Sequence, residues 1–203
     1  MRGFDERQRE RIRNELIEAG RNLFAQYGLQ KTTITDLTDT VGIANGTFYQ
    51  FFDSKEMLYF EVMQREGHEV AEELIANSLG AEDDPERAIQ RFLSGLVETI
   101  EENQLFRQLL AGDEWEKMMR TVDDIPEDEM AARRADSFAH VLPYVEQWQK
   151  EGKLRDGDPV AIVGTMGAVK FLPTFRKQLG EENYPAIRDM LIETIAAGLT
   201  RQD

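Results

Sequence analysis

The sequence contains no cysteine, and its 203 residues include two histidines, His68 and His140. Without cysteine there is no disulfide and no thiolate to act as nucleophile or metal ligand. The stretch "HEVAE" at 68–72 falls short of the zinc motif H-E-x-x-H, because Glu72 stands where the second histidine belongs. With His140 as the one other histidine, neither a metal site nor a cofactor is expected. There is no G-x-G-x-x-G, no P-loop and no G-x-S-x-G, and the many carboxylates follow the pattern of solvated helix faces, so an enzyme is not expected. No uninterrupted apolar run approaches the ~18 residues of a membrane span. The charged start "MRGFDERQRERIRNEL" has no apolar signal core, which makes the cytoplasm the expected compartment. Lysine is scarce as well, at 7 of 24 basic residues. An acidic, lysine-poor surface fits either a salt-rich cytoplasm or plain solubility.

The net charge is −15, and it is unevenly placed. Residues 1–55 carry 8 basic and 8 acidic side chains, whereas residues 56–203 carry 16 and 31. An acidic surface repels phosphate, so any nucleic-acid contact must come from the neutral, arginine-rich first quarter.

Almost every segment has helical periodicity, and neither strand alternation nor an internal repeat is present. Ile12, Leu16, Ala19, Leu23, Phe24 and Tyr27 recur every three or four residues up to a stop at Gly28. Thr33 and Asp36 form a capping box that opens a second helix, ended by Gly42. A third short helix covers 45–51, and Ser54 starts a long fourth helix reaching about residue 77. Asp84-Pro85 and Asp158-Pro159 open later helices, Pro143 interrupts a helix over 130–152, Pro173 divides another over 158–180, and a last helix spans 183–199. The expected fold class is all-α, with residues 1–53 as a helix-turn-helix DNA-binding domain and 54–203 as a ligand-binding and dimerisation domain.

The run "GIANGTFYQFFDSKEML" mixes small polar residues with four aromatics. A recognition helix needs this mixture: small or hydrogen-bonding side chains toward base edges, bulky apolar ones toward its own domain. Asn45, Thr47 and Gln50 can donate and accept toward bases, and Gly46 permits close backbone approach. Phe48, Phe51 and Phe52 suit the interior, and the Tyr49 hydroxyl can reach a phosphate. The arginine-rich "ERQRERIR" is either a DNA-tracking arm or a solvated helix start.

Residues 12–58, and most specifically "GTFYQFFDSKEML", resemble the N-terminal signature of the tetracycline-repressor (TetR/AcrR) family of transcription regulators. The resemblance implies a three-helix DNA-binding domain followed by a helical domain that binds a small-molecule effector. It also implies homodimerisation through the last two helices, with double-stranded operator DNA as partner and no membrane. Position by position, Thr33, Tyr49 and Lys55 would take phosphates, while Asn45, Thr47 and Gln50 face bases and Gly46 lies close to DNA. Two positions depart from the family pattern. Ala44 replaces the usual capping Ser, which suggests that Asn45 caps a helix starting one residue later; Thr38 replaces Ala at a tight helix crossing.

The second domain is rich in methionine and aromatics, which suit an adaptable cavity. By analogy with the family's pocket, Trp115, Met119, Phe138, Trp148 and Met166 are the candidate ligand-binding residues for an apolar or amphipathic molecule. Gly164, Gly167, Ala168, Ala196 and Ala197 provide small residues for close dimer packing of the last helices. The expected function is a ligand-responsive regulator, most simply a repressor released from its operator by the effector. The alternative is a ligand-independent DNA-binding adaptor controlled by a protein partner, which predicts a filled core where the sensor predicts a cavity.

Overall fold

The computed structural model describes residues 5–110, 114–123 and 125–200. Among them there are twelve α-helices, one 3-10 segment and no strand. The order is α1 (Glu6–Lys31), α2 (Ile34–Val41), α3 (Asn45–Phe48), α4 (Lys55–Asn77), α5 (Pro85–Glu102), α6 (Gln104–Leu110), α7 (Glu114–Asp123), α8 (Glu127–Ala139), α9 (Leu142–Lys150), α10 (Pro159–Ala168), α11 (Arg176–Leu179) and α12 (Tyr184–Thr200), with the 3-10 segment Val169–Phe175 before α11. No helix among the described residues is long and apolar enough to cross a membrane.

Local chemistry sets most boundaries. Asp5 caps α1 by accepting from the Gln8 amide at 2.8 Å. Gly28, at φ +77°, breaks the helical path, and one further turn runs to Lys31. The Thr33–Asp36 capping box is complete, with the Asp36 amide donating to Thr33 Oγ1 and the Thr33 amide to Asp36 Oδ2. Gly42 closes α2 in the left-handed region at φ +76°, where its amide and that of Ile43 both donate to the Thr38 carbonyl. Ser54, Asp84 and Asp158 cap α4, α5 and α10. Pro143 cannot continue the ladder of α8, so the chain breaks at residues 140–141 and restarts as α9. Pro173 lies in the tighter 3-10 segment that separates α10 from α11.

The chain forms two compact units: residues 1–67 with 103–126, and residues 68–102 with 127–203. These packing units divide the chain elsewhere than at the expected functional boundary after residue 53. In the first, α6 and α7 pack on α1 alongside α2 and α3. Leu16, Phe24, Leu37, Phe48 and Leu58 are fully buried there, and Phe24 meets Tyr59 edge-on at 5.0 Å. In the second, α5 packs against α12 and α10 against α9, burying Ile89, Leu93, Val97, Val145 and Met166.

Candidate nucleic-acid interface

The helix-turn-helix lies wholly in the first unit. Phe48 is completely buried and Phe52 nearly so, which anchors the recognition segment from its inner face. After Phe48 the segment continues in hydrogen-bonded turns, Gln50 donating to Thr47 and both Phe51 and Phe52 to Phe48. The outer face carries Asn45, Gly46, Tyr49 and Gln50, all exposed, with Thr47 half-buried. Tyr49 is 58% exposed, its ring edge against Phe48 at 5.5 Å, which leaves the hydroxyl to solvent. A Cβ built at Gly46 meets no atom of the protein within 4 Å, so nothing inside the fold demands glycine there.

Asn45 does not cap. Ala44 is the N-cap of α3 and supplies no side-chain bond, and Asn45 is the first helical residue. Its amide side chain instead bridges back to α2, donating to Thr35 Oγ1 at 2.8 Å and accepting from Thr38 Oγ1 at 2.5 Å. The two departures from the family pattern are therefore one feature. Where the cap is lost at Ala44, a Thr35–Asn45–Thr38 bridge fastens α3 to α2 across the turn.

Lys55 is also committed within the fold. Its ammonium donates to the carbonyls of Leu29 and Thr32 at 2.6 and 2.7 Å, placing a positive charge at the last turn of α1. Two of its three protons are used there. The Thr33 hydroxyl is likewise held by the capping box. Hydrogen bonds from Thr33, first through its hydroxyl and then its amide, hold the Asp36 carboxyl below its usual range.

The arginine-rich start is the beginning of α1 rather than a free arm. Arg9 lies over the Phe51 ring at 5.4 Å and donates to the Gln50 carbonyl, while Arg13 lies over Phe52 at 5.2 Å and pairs with Glu61 at 3.0 Å. Both fasten α1 to the segment following α3. Sequence periodicity could not reveal this, since the partners are some forty residues apart.

Glu114 was not singled out by the sequence. It is buried on α7, where Oε1 accepts from the Leu29 amide at 2.8 Å and Oε2 from the Tyr59 hydroxyl at 3.1 Å. Burial, together with the neighbouring carboxylate, pushes the Tyr59 hydroxyl well above its ordinary range. A Cβ at Gly28 would collide with that same carboxylate, so the residue is constrained both by its positive φ and by close approach.

The sequence profile of the bacterial regulatory proteins of the tetR family matches residues 16–62. This N-terminal segment carries the sequence signature of the tetR family. The HTH-type transcriptional repressor KstR2 of Rhodococcus jostii is 42% identical over 52 residues, 26% of this chain and 26% of that repressor. A probable acrEF/envCD operon repressor of Escherichia coli K12 is 36% identical over 77 residues, 37% of this chain and 34% of that protein. The chain thus matches about a quarter to a third of the length of these relatives. Across nearly the whole chain, a tetR-family regulator from Pectobacterium atrosepticum has a similar fold, with TM-score 0.74, 18% identity and coverage of 98% and 99%. RolR in complex with resorcinol aligns at TM-score 0.63 and 19% identity, over 97% of this chain and 98% of that one. The tetR family consists of DNA-binding regulators, not enzymes.

The candidate effector residues fall in both units. The Trp115 side chain lies outside the described residues. Met119 is half-buried in the first unit, whereas Phe138, Trp148 and Met166 belong to the second. Trp148 and Met166 are packed into that unit's core, and Phe138 packs against it. Of the small residues expected at a dimer face, Gly164 and Gly167 have open space where a Cβ would stand, Ala168 is exposed and Ala197 half-buried. Ala196 is completely buried in the second unit's own core, so it faces inward.

Proposed function

We propose that the chain is a transcriptional repressor that binds operator DNA as a homodimer and leaves it when a small apolar or amphipathic molecule binds. The observation that carries the DNA-binding part is the two-sided recognition segment. Phe48 and Phe52 are buried while Gly46, Tyr49 and Gln50 are presented outward, with no fold-internal need for glycine at 46. In this reading Thr47 and Gln50 read base edges, Tyr49 takes a phosphate, and Gly46 lets the backbone approach. The first-turn amides of α2, rather than the Thr33 hydroxyl, face phosphate. Asn45 acts mainly by positioning α3, and Lys55 keeps one proton for a phosphate.

Homodimerisation is supported by an outward stripe on α10 and the 3-10 segment. Val160, Gly164, Gly167, Ala168 and Phe171 recur at helical spacing, and Val160 and Phe171 are 48% and 38% exposed. Small residues allow a second copy to approach closely. Two recognition helices about 34–36 Å apart would then meet successive major grooves. The ligand part rests on kinship with a fold that holds resorcinol in RolR. The burial of Trp148 and Met166 among the second unit's core residues is what the alternative, an adaptor without an effector, would also require. A thermal-shift screen of small phenolic and other amphipathic compounds separates them: saturable stabilisation coupled to operator release supports the sensor, and its absence supports the adaptor.

A further inference from the structure

His68 and Glu72 stand four residues apart on α4 and so project from one face of it. His140 occupies the break between α8 and α9 that Pro143 imposes. There the two imidazoles meet, Nε2 to Nε2 at 2.8 Å, with ring centroids 4.7 Å apart and planes at 83°. One donor atom from each of His68, Glu72 and His140 lies within 4.8 Å of the other two. Both histidines are half-buried, Glu72 is exposed, and all three belong to the second unit. On the other side of the His68 ring, Asp136 Oδ2 lies 3.9 Å from Nδ1.

We propose that His68, Glu72 and His140 form a site for a borderline divalent cation, Zn²⁺ foremost, with a coordination position left open. Two imidazole nitrogens and one carboxylate oxygen are a donor set that zinc accepts together with water or an exogenous ligand. Hard cations such as Mg²⁺ and Ca²⁺ take oxygen ligands and are disfavoured by two imidazoles. The two Nε2 atoms can share only one proton between them, whereas a cation would engage both lone pairs. With Zn–N bonds of about 2.0–2.1 Å, tetrahedral nitrogens stand about 3.3 Å apart. The pair therefore needs to open by only about 0.5 Å, a small side-chain rotation. Glu72, at the helix surface, supplies the third donor by a change of rotamer. Asp136, 3.9 Å from His68 Nδ1, lies beyond hydrogen-bond reach in this structure and adds negative charge beside that ring. This inference does not depend on the chain binding DNA.

The chain has only these two histidines, so the site can be followed without mutation. The experiment uses the full chain, free of any histidine tag and stripped with chelator, titrated with Zn²⁺ by calorimetry and by histidine-ring NMR. The expected result is one Zn²⁺ per chain, with both imidazole spectra shifting together and complete at one equivalent. A large excess of Mg²⁺ should not compete. Cobalt(II) should give the visible bands of a four-coordinate nitrogen–oxygen site. Glu72→Gln, at an exposed position, should weaken Zn²⁺ at least tenfold, and His140→Ala should abolish the one-equivalent phase. Should His140→Ala fail to fold, His68→Gln and Glu72→Gln carry the same comparison. The proposal is overturned if neither imidazole responds at one equivalent, or if the variants bind Zn²⁺ as the parent does, which would mark diffuse binding to the acidic surface.

Discussion

Gly46→Ala separates a role in DNA approach from a role in folding. Gly46 sits in the first turn of α3, and a Cβ there meets nothing within 4 Å. Replacing glycine by alanine in a helix stabilises by up to about 1 kcal/mol, and toward the lower end in a first turn. The melting temperature should therefore stay level or rise by about 1–2 °C for a chain of this size. The same methyl group stands on the exposed face proposed to meet DNA, between Asn45 and Thr47. If it holds the helix away, one base-edge contact worth about 1–3 kcal/mol weakens in each half-site. Operator affinity should fall at least tenfold, about 1.4 kcal/mol or more. The assay pairs thermal unfolding with fluorescence anisotropy on a duplex selected by the parent protein. Affinity within twofold of the parent would refute the close-approach argument, and a marked loss of stability would refute the open-space argument.

Four further predictions follow from particular contacts. Asn45→Ala and Thr38→Ala should show a coupling of about 0.5–1.5 kcal/mol in a double-mutant cycle of unfolding free energies, because the two side chains bond to each other; additive effects would deny the bridge. Glu114→Ala should destabilise the chain by about 2–4 kcal/mol in denaturant titration, since it leaves the buried Leu29 amide and Tyr59 hydroxyl without their acceptor. Gly28→Ala should also destabilise, by at least the ~1–3 kcal/mol of an alanine held at φ +77° and ψ 171°, because the added Cβ meets Glu114 as well. The Asp36 carboxyl is depressed in the folded state, so its contribution is present above the unfolded carboxylate pKa and is lost as pH falls through the folded value. An NMR titration should find it below the usual aspartate range in the parent and shifted upward in Thr33→Ala.

What was legible in the sequence was chemistry confined to neighbouring residues. The Thr33–Asp36 box, the left-handed Gly42, the Asp84 and Asp158 caps and the breaks at Pro143 and Pro173 each depend on partners within about one helical turn. The inward aromatics Phe48 and Phe52 were legible for the same reason, as helical spacing assigns them a face. Partners brought together by the fold were not. Seven residues and a turn separate Thr38 from Asn45, so the missing cap at Ala44 looked like a shift of the helix start. The internal bonds of Lys55 were not legible, because its two carbonyl partners lie more than twenty residues away at the end of α1. The different burial of adjacent alanines 196 and 197 could not be assigned without the neighbours of α12 in place. The contact between His68 and His140 was not legible because 72 residues separate them.

The central claim is that the exposed face of α3 and the turn after it read a specific duplex. The direct measurement is selection from a pool of random-sequence duplexes by the full chain, repeated with Tyr49→Phe and Gln50→Ala. The account predicts enrichment of one two-fold symmetric sequence by the parent. It predicts weaker binding with unchanged preference for Tyr49→Phe, and altered preference within each half-site for Gln50→Ala. Equal binding to selected and scrambled duplexes, or identical selections from all three proteins, would contradict it.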